Sequence, residues 1–263
     1  MKAKSLVRYL PMYGCLSTGL IYITVGIIAM LSFLKIRDGG ADESSMLAVM
    51  NGFTIGKAFV WVILTGTASY IVWRIYEAVT DPYGYGKSLQ GIAKRIGIAL
   101  STIADMLIVY TAIRVLLNIG EIQTNGLPTE EREMAHFILE NSWGTAVMIG
   151  MGSVTSIVAV VQFVYGITRG YSERINMDGF NMRLKTIVHV LGWIGYFSRG
   201  IILAIIGFFF IKAGISGNAG YVVNTDKAFD FIGDNIGHVY FIAVAIGTIC
   251  YGAFMLMLGV TYK

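Results

Sequence analysis

The run GCLSTGLIYITVG at Gly14–Gly26 returns as GYFSRGIILAIIG at Gly195–Gly207, a fixed offset of 181 residues. The register holds without a gap from residues 14–76 onto 195–257. Ser17, Gly19 and Gly26 fall on Ser198, Gly200 and Gly207. Further along, Ile55-Gly56, Gly66-Thr67 and Tyr70 fall on Ile236-Gly237, Gly247-Thr248 and Tyr251. Each copy holds two apolar segments, so the repeating unit is a helical hairpin. Such a hairpin must stack on its copies to bury its small-residue faces and satisfy its backbone in lipid.

A third, degraded copy lies between the two faithful ones. Gly97 takes the place of Gly14, Thr102 that of Gly19, and Trp143-Gly144 that of Ile55-Gly56. The first and last of these glycines are 47 residues apart here against 42 in the outer copies, which puts an insertion in the loop that contains Pro128. The expected architecture is one all-α membrane domain of six transmembrane helices over residues 1–263. It is built as three pseudo-threefold two-helix units at residues 8–90, 91–182 and 183–263.

Composition agrees with a membrane solvent. The chain is 56% hydrophobic and only 14% charged, outside the range of soluble domains. A crossing needs about 20 apolar residues, and six stretches qualify: Tyr13–Lys35, Gly56–Val79, Ile96–Leu117, Trp143–Ile167, His189–Ala213 and Gly237–Thr261. The first is too long for a signal-peptide core and lacks a small-x-small cleavage site, so it is expected to stay as a helix.

Charge placement orients the spans. With a cytoplasmic N-terminus, twelve basic residues fall inside (Lys2, Lys4, Arg8, Arg74, Lys87, Lys94, Arg95, Arg169, Arg174, Arg183, Lys185 and Lys263). Seven fall outside: Lys35, Arg37, Lys57, Arg114, Arg132, Lys212 and Lys227. The positive-inside rule then puts both termini in the cytoplasm. Glu121, Glu130, Glu131, Glu133 and Glu140 crowd the second outer loop but weigh little in that rule. The net charge of +4 is what a cytoplasmic rim facing anionic headgroups needs, and gives no reason to expect nucleic acid.

Each outer loop carries a short amphipathic segment, with Ser44, Thr129 and Thr225 read as N-caps. Two placements are open: flat on the outer interface, or buried as a plug. Gly19 and Gly26 share a face of the first span, as Gly200 and Gly207 do on the fifth. With Gly66, Tyr70, Gly247 and Tyr251 they read as helix-packing positions, because association in lipid leans on close approach. Cys15 and Cys250 fall inside spans and read as packing residues rather than a disulfide.

Gly195-Tyr196-Phe197-Ser198-Arg199-Gly200 with Gly207, Tyr70-Ile71-Val72-Trp73-Arg74 with Glu77-Ala78 and Asp81-Pro82, and Tyr251-Gly252-Ala253-Phe254 together resemble the bacterial membrane family called domain of unknown function 1206. The resemblance covers essentially the whole chain. It implies three tandem two-helix units in the bacterial cytoplasmic (inner) membrane, and supplies no activity. Thr18 stands where the aromatic-Ser-Arg-Gly run would put an arginine, and Thr102 where the middle unit usually has glycine, so no threefold set of arginines is present.

Ionisable groups inside spans cost about 2.5–3.5 kcal/mol each on insertion scales and are candidates for function. Asp105 in the third span and Arg199 in the fifth come within roughly 6 Å in depth at 1.5 Å per residue, which predicts an ion pair. Arg74 and Glu77 on the second span and Gln162 on the fourth complete a candidate polar cluster opening toward the cytoplasm. The alternative is structural: a snorkelling Arg74, a hydrated Glu77 and a register-fixing pair.

His136, His189 and His238 do not face one another in mid-membrane as haem ligation requires, and metal-ligand spacing is absent. Gly84-Tyr85-Gly86 follows Asp81-Pro82 in a cytoplasmic connection and reads as a turn, not a filter. No nucleophile elbow or phosphate loop is present. The sequence therefore predicts a non-enzymatic protein without cofactor or metal, in contact with membrane lipids and other integral membrane subunits. Its leading expected role is an accessory subunit or scaffold. The alternative is a small transporter or channel using Arg74, Glu77, Asp105 and Arg199, and the discriminator is whether Asp105, Arg199 and Glu77 line a water-filled cavity or are sealed by neighbouring side chains.

Overall fold

A computed structural model describes residues 2–36, 40–82, 84–119, 124–177 and 179–261. Arg37, Glu121 and Lys263 lie outside the described residues, as do the packing of Gly97 and the side chains of Lys2, Lys4, Arg8, Lys94, Ser101 and Arg174.

The described residues form α1 (Lys2–Phe33), α2 (Glu43–Asn51), α3 (Thr54–Thr80), α4 (Leu89–Leu117), α5 (Thr129–Leu139), α6 (Gly144–Thr168), α7 (Met182–Ser216), α8 (Thr225–Phe231) and α9 (His238–Val260), with short 3₁₀ and π turns and no sheet. Five of them, α1, α3, α6, α7 and α9, are long and apolar enough to cross a membrane. In α4 the described apolar stretch is Ile108–Leu117.

Three long helices start well before the apolar windows read from sequence, because caps and not hydropathy set helix ends. Ser88 accepts from Gly91 N at 3.2 Å to open α4, and Asn181 from Leu184 N at 2.9 Å to open α7. Asp81, Asn118, Arg169 and Gly217 close α3, α4, α6 and α7 in the left-handed conformation. Arg95 then donates from Nε to Ala78 O and from Nη2 to Val79 O, satisfying the last carbonyls of α3.

The repeat reads directly as packing. A side chain on Gly14 would meet Tyr70 Cβ at 2.3 Å, and one on Gly195 would meet Tyr251 Cα at 2.5 Å. Ser17 Oγ lies 3.3 Å from Thr67 Oγ1, beside Gly66, whose Cβ would stand 2.7 Å from Ser17 Cβ. In the other copy Ser198 Oγ would be 1.7 Å from a Cβ on Gly247. These small-residue seams close the α1–α3 and α7–α9 hairpins.

Between units the first helix of each packs on the second helix of another: α1 on α9, α7 on α6, α4 on α3. Gly19 and Gly26 admit Leu256 and Ile249 of α9, and Gly200 and Gly207 admit Phe163 and Ser156 of α6.

The middle unit departs from the other two. Among the described residues α4 packs against α3 and α2, and α6 against α7 and α5, but α4 and α6 do not form a packed pair. Counted from Gly97 and Gly144, Leu100 stands where the other copies have Ser17 and Ser198, and Val154 where they have Gly66 and Gly247. The small residues at these positions of the other hairpins are absent from the middle copy's sequence, and the described residues of α4 and α6 leave a seam.

At the end away from the termini, the three inter-helix loops clasp one another. Gly40 N donates to Thr124 O at 2.8 Å, Gly126 N to Ser45 Oγ at 3.2 Å, Ala41 N to Asp226 Oδ1 at 2.6 Å, and Arg132 Nε to Val222 O at 3.1 Å. Ser45 and Asp226 are equivalent at the 181-residue offset, so the same repeat position takes a neighbouring loop's N–H in both copies.

The two placements open for the loop helices divide between them: α2 and α8 are tucked in, with Met46, Leu47, Ala228 and Phe229 buried, whereas α5 buries only Ala135 and exposes Phe137. The expected caps are two residues off in α2, one off in α8 and absent in α5. Asp42 caps α2, accepting from Ser44 N and Ser45 N; Asn224 caps α8; and α5 has no side-chain cap, Thr129 being its first residue. Asp and Asn hold the acceptor on a carboxylate or amide that reaches these N–H groups as well as a hydroxyl does. Thr225 is thereby freed to donate to Glu43. Cys15 and Cys250 are both free.

Candidate functional site

Arg199, one turn below Gly195 on α7, carries its guanidinium against two aromatic rings, 4.4 Å from the centroid of Tyr22 on α1 and 5.1 Å from that of Tyr251 on α9. The two rings meet edge to face at 5.1 Å. Cation–π stacking of this kind, desolvated, is worth about 2 kcal/mol. It holds the guanidinium against the α1 and α9 rings. Nε and Nη1 are inaccessible to solvent and have no hydrogen-bond partner.

Arg199 forms the deep wall of a cavity of about 350 Å³. Asp105 of α4 lines it, as do Glu43 of α2, Glu130 and Glu131 of α5 and Thr225 of α8. Most of the remaining wall is apolar, with Ile108, Met148, Ile202, Ile206 and Phe210 among its residues. The lining reaches the surface where the α4–α6 seam stands: Tyr110 is 57% and Met151 41% exposed, with Met134 of α5 above them at 52%. The cavity thus runs from the loop-helix end into the middle of the bundle, with a side opening between α4, α5 and α6.

The carboxylates are not equivalent. Glu130 pairs with Arg114. Glu43 accepts from Thr225 Oγ1 at 3.2 Å. Burial pushes the Glu43 and Glu131 carboxyls above the usual range, and Asp42, with Glu130 and Glu43 around Glu131, pushes in the same direction. In the clasp, burial raises Asp226 to about 6 despite the N–H of Ala41.

The structure divides the predicted polar cluster. Asp105 and Arg199 line one cavity and lie within each other's electrostatic range, but no ion pair within 4 Å joins them, and the field at Asp105 from Arg74 is the larger. The predicted pair does not form because Tyr22 and Tyr251 hold the guanidinium against their own rings. Arg74 lies over Tyr70 at 4.7 Å. Glu77 is buried at 1% exposure and accepts from Tyr85 OH at 3.1 Å, outside the cavity. Gln162 is not among the lining residues, and its Oε1 is buried without a partner.

The polar group therefore opens toward the loop-helix end, not toward the end that holds the termini. Helix-face arithmetic on single spans could not show which loop helix would fold back over it.

Gly84-Tyr85-Gly86 is a turn, as read: Tyr85 N and Gly86 N donate to Asp81 at 2.7 and 2.8 Å. The histidines are engaged separately, His136 with Glu140 at 3.2 Å, His238 against Phe33 and His189 against Tyr171. Tyr22, Glu43 and Glu131 escaped sequence reasoning. Tyr22 sits among apolar residues without a motif, and the two glutamates look like ordinary outer-loop acids.

Residues 13–81 and 194–262, the two faithful hairpins, match the family described as Domain of Unknown Function (DUF1206). The chain is similar to the uncharacterized protein YxxB of Bacillus subtilis (strain 168), 24% identical over 262 residues, which cover 98% of this chain and 92% of that protein. No solved structure matches.

Proposed function

The chain belongs to the DUF1206 family of unknown function, and from that premise we propose that it is a non-catalytic binding protein of the bacterial cytoplasmic membrane, taking an amphiphile into its central cavity through the α4–α6 seam. The observation that carries this reading is the mostly apolar cavity itself, with Arg199 and Asp105 of the bundle interior among its lining residues. A volume of about 350 Å³ falls within the roughly 300–1,000 Å³ of small-molecule sites. Among the described residues no histidine, cysteine or lysine lines it to form a nucleophile–base pair with its carboxylates, which favours binding over catalysis.

The topology that goes with it has six crossings, α4 being the sixth, at 29 residues or about 43 Å at 1.5 Å per residue. Twelve basic residues against seven put both termini in the cytoplasm, and the cavity mouth then faces the outer leaflet. A carrier that passes its ligand onward uses the same site. Asp105, in the fields of both Arg199 and Arg74, is the link from the cavity to the cytoplasmic half.

An accessory subunit needs no cavity. Asp105 and Arg199 line one, so that role, expected first from sequence, gives way here. The test is native mass spectrometry of the protein taken from its membrane in mild detergent, beside a Thr111→Trp variant that fills the cavity. The reading expects an amphiphile adduct on the wild type that the variant loses. A stoichiometric set of membrane subunits and no adduct would return the accessory role to first place.

A further inference from the structure

Resting on the cavity as an amphiphile site, we propose that its occupant is a single-chain aliphatic amine, with its ammonium head on Glu131 and Glu43 at the loop-helix end and its chain along the apolar wall beside the α4–α6 seam.

The charges that face the cavity are unequal. Four carboxylates, Glu43, Asp105, Glu130 and Glu131, line it, and Arg199 is the one basic side chain among the described lining residues. Arginines outside the lining make up part of the difference. Arg114 pairs with Glu130, and Arg74 is the cation that acts most strongly on Asp105. Arg199 acts on Glu43. One carboxylate is left over.

That carboxylate is Glu131, in the first turn of α5. The charges that act on it most strongly are Asp42, Glu130 and Glu43, all of its own sign. A cation beside it relieves this repulsion, and an anion adds to it. Glu43, at the start of α2, is the second acceptor: Thr225 Oγ1 donates to it at 3.2 Å, and a carboxylate has room for about four such bonds. An ammonium carries one charge and three N–H donors. It fits one unmatched charge with two carboxylates around it.

These acids face a cavity with an apolar wall, which gives the cation a tail. Leu47, Ile108, Met148, Ile202 and Ile206 line the same space and suit a hydrocarbon chain, not a hydrated ion or a polyamine. A volume of about 350 Å³ is at the small end of the roughly 300–1,000 Å³ of ligand sites, which suits one chain rather than the two of a phospholipid. With the acids at the loop-helix end and the apolar wall reaching into the bundle, the cavity presents its polar and apolar parts in the order in which an amphiphile of that leaflet stands.

The experiment titrates three tritiated probes of equal length, dodecylamine, dodecan-1-ol and dodecanoate, onto the protein in phosphatidylcholine nanodiscs, with empty nanodiscs as the blank. Dodecylamine is expected to bind saturably, one per chain, about tenfold or more tighter than the other two, as a charge-assisted hydrogen bond predicts. Glu131→Gln should remove that preference and leave dodecan-1-ol unchanged. Glu43→Gln, which keeps an acceptor for Thr225, should weaken dodecylamine several-fold.

Glu133→Gln removes the same charge from an exposed position of α5 outside the lining and should change nothing. If it weakens dodecylamine as much as Glu131→Gln does, the attraction is that of the whole acidic loop and the head-group site is overturned. Dodecan-1-ol or dodecanoate binding as tightly as dodecylamine to the wild type would overturn the amine while leaving the cavity as an amphiphile site, and this comparison stands even if a variant does not fold. If none of the three binds saturably, the amphiphile reading itself is wrong.

Discussion

Substituting Gly247 by alanine tests the small-residue seam most sharply, because its new Cβ would stand 1.7 Å from Ser198 Oγ and 2.7 Å from Ser198 Cβ. Overpacking of a tight contact costs about 1–3 kcal/mol, and an approach this close belongs at the upper end, about 3. Alanine returns about 1 kcal/mol in helix propensity, so the net loss is about 2 kcal/mol. For a chain of this size that is roughly 4–8 °C in Tm.

Ser198→Gly alone loses about 0.5 kcal/mol of propensity. Together with Gly247→Ala it removes both clashing atoms, and the next atom, Ile194 Cγ2, lies at an ordinary 3.4 Å. The double variant should therefore be about as stable as wild type, a coupling of about 3 kcal/mol between two sites that separately destabilise. Thermal unfolding in detergent, followed by circular dichroism, measures all four proteins. Gly150→Ala is the control, because nothing lies within 4 Å of its Cβ, and it should be neutral or stabilising by up to about 1 kcal/mol. Additive losses in the double variant, or a Gly247→Ala protein as stable as Gly150→Ala, would refute the seam as the element that closes the hairpin.

The clasp should respond to pH. With Asp226 raised from 3.8 to about 6, the folded protein holds a proton that the unfolded chain releases between those values. Stability then falls by about 3 kcal/mol as pH rises from about 4 to about 6 and is level above; Asp226→Asn should flatten that slope in Tm measured across the same range. Gly126→Ala should loosen the same clasp, since φ is +73° and the new Cβ would lie 2.1 Å from Asp226 Oδ2; earlier proteolytic cleavage in the three loops would show it, and unchanged digestion would argue against the clasp. At the other end of the bundle, Tyr85→Phe removes a donor from the buried Glu77 carboxylate and should cost about 1–3 kcal/mol, read as a Tm loss that Glu77→Gln makes smaller.

How much could be read in advance divides by range. The hairpin repeat, the glycine faces and the equivalence of Gly66 with Gly247 were legible because an exact offset of 181 residues is a one-dimensional record of packing. The break at α4–α6 was present in the sequence too, as Leu100 and Val154, but only a neighbour relation gives those two substitutions a joint meaning. Glu43 and Asp226 were not legible as interior groups, because composition marks them as outer-loop acids and only the folded-back α2 and α8 bury them. The Asp105–Arg199 pair was expected from depth alone. Depth does not fix azimuth, and the aromatic pair Tyr22 and Tyr251 takes the guanidinium first.

The open seam also bears on why the three hairpins share one polypeptide. If three identical hairpins assembled as separate chains, any substitution loosening one hairpin would loosen all three, and the assembly would lose its frame together with its symmetry. Joined in one chain, two units can keep their glycines and carry the mechanical load while the third accepts Leu100 and Val154. Fusion thus converts a ring of equivalent positions into one with an address, and the address is where the cavity meets the lipid.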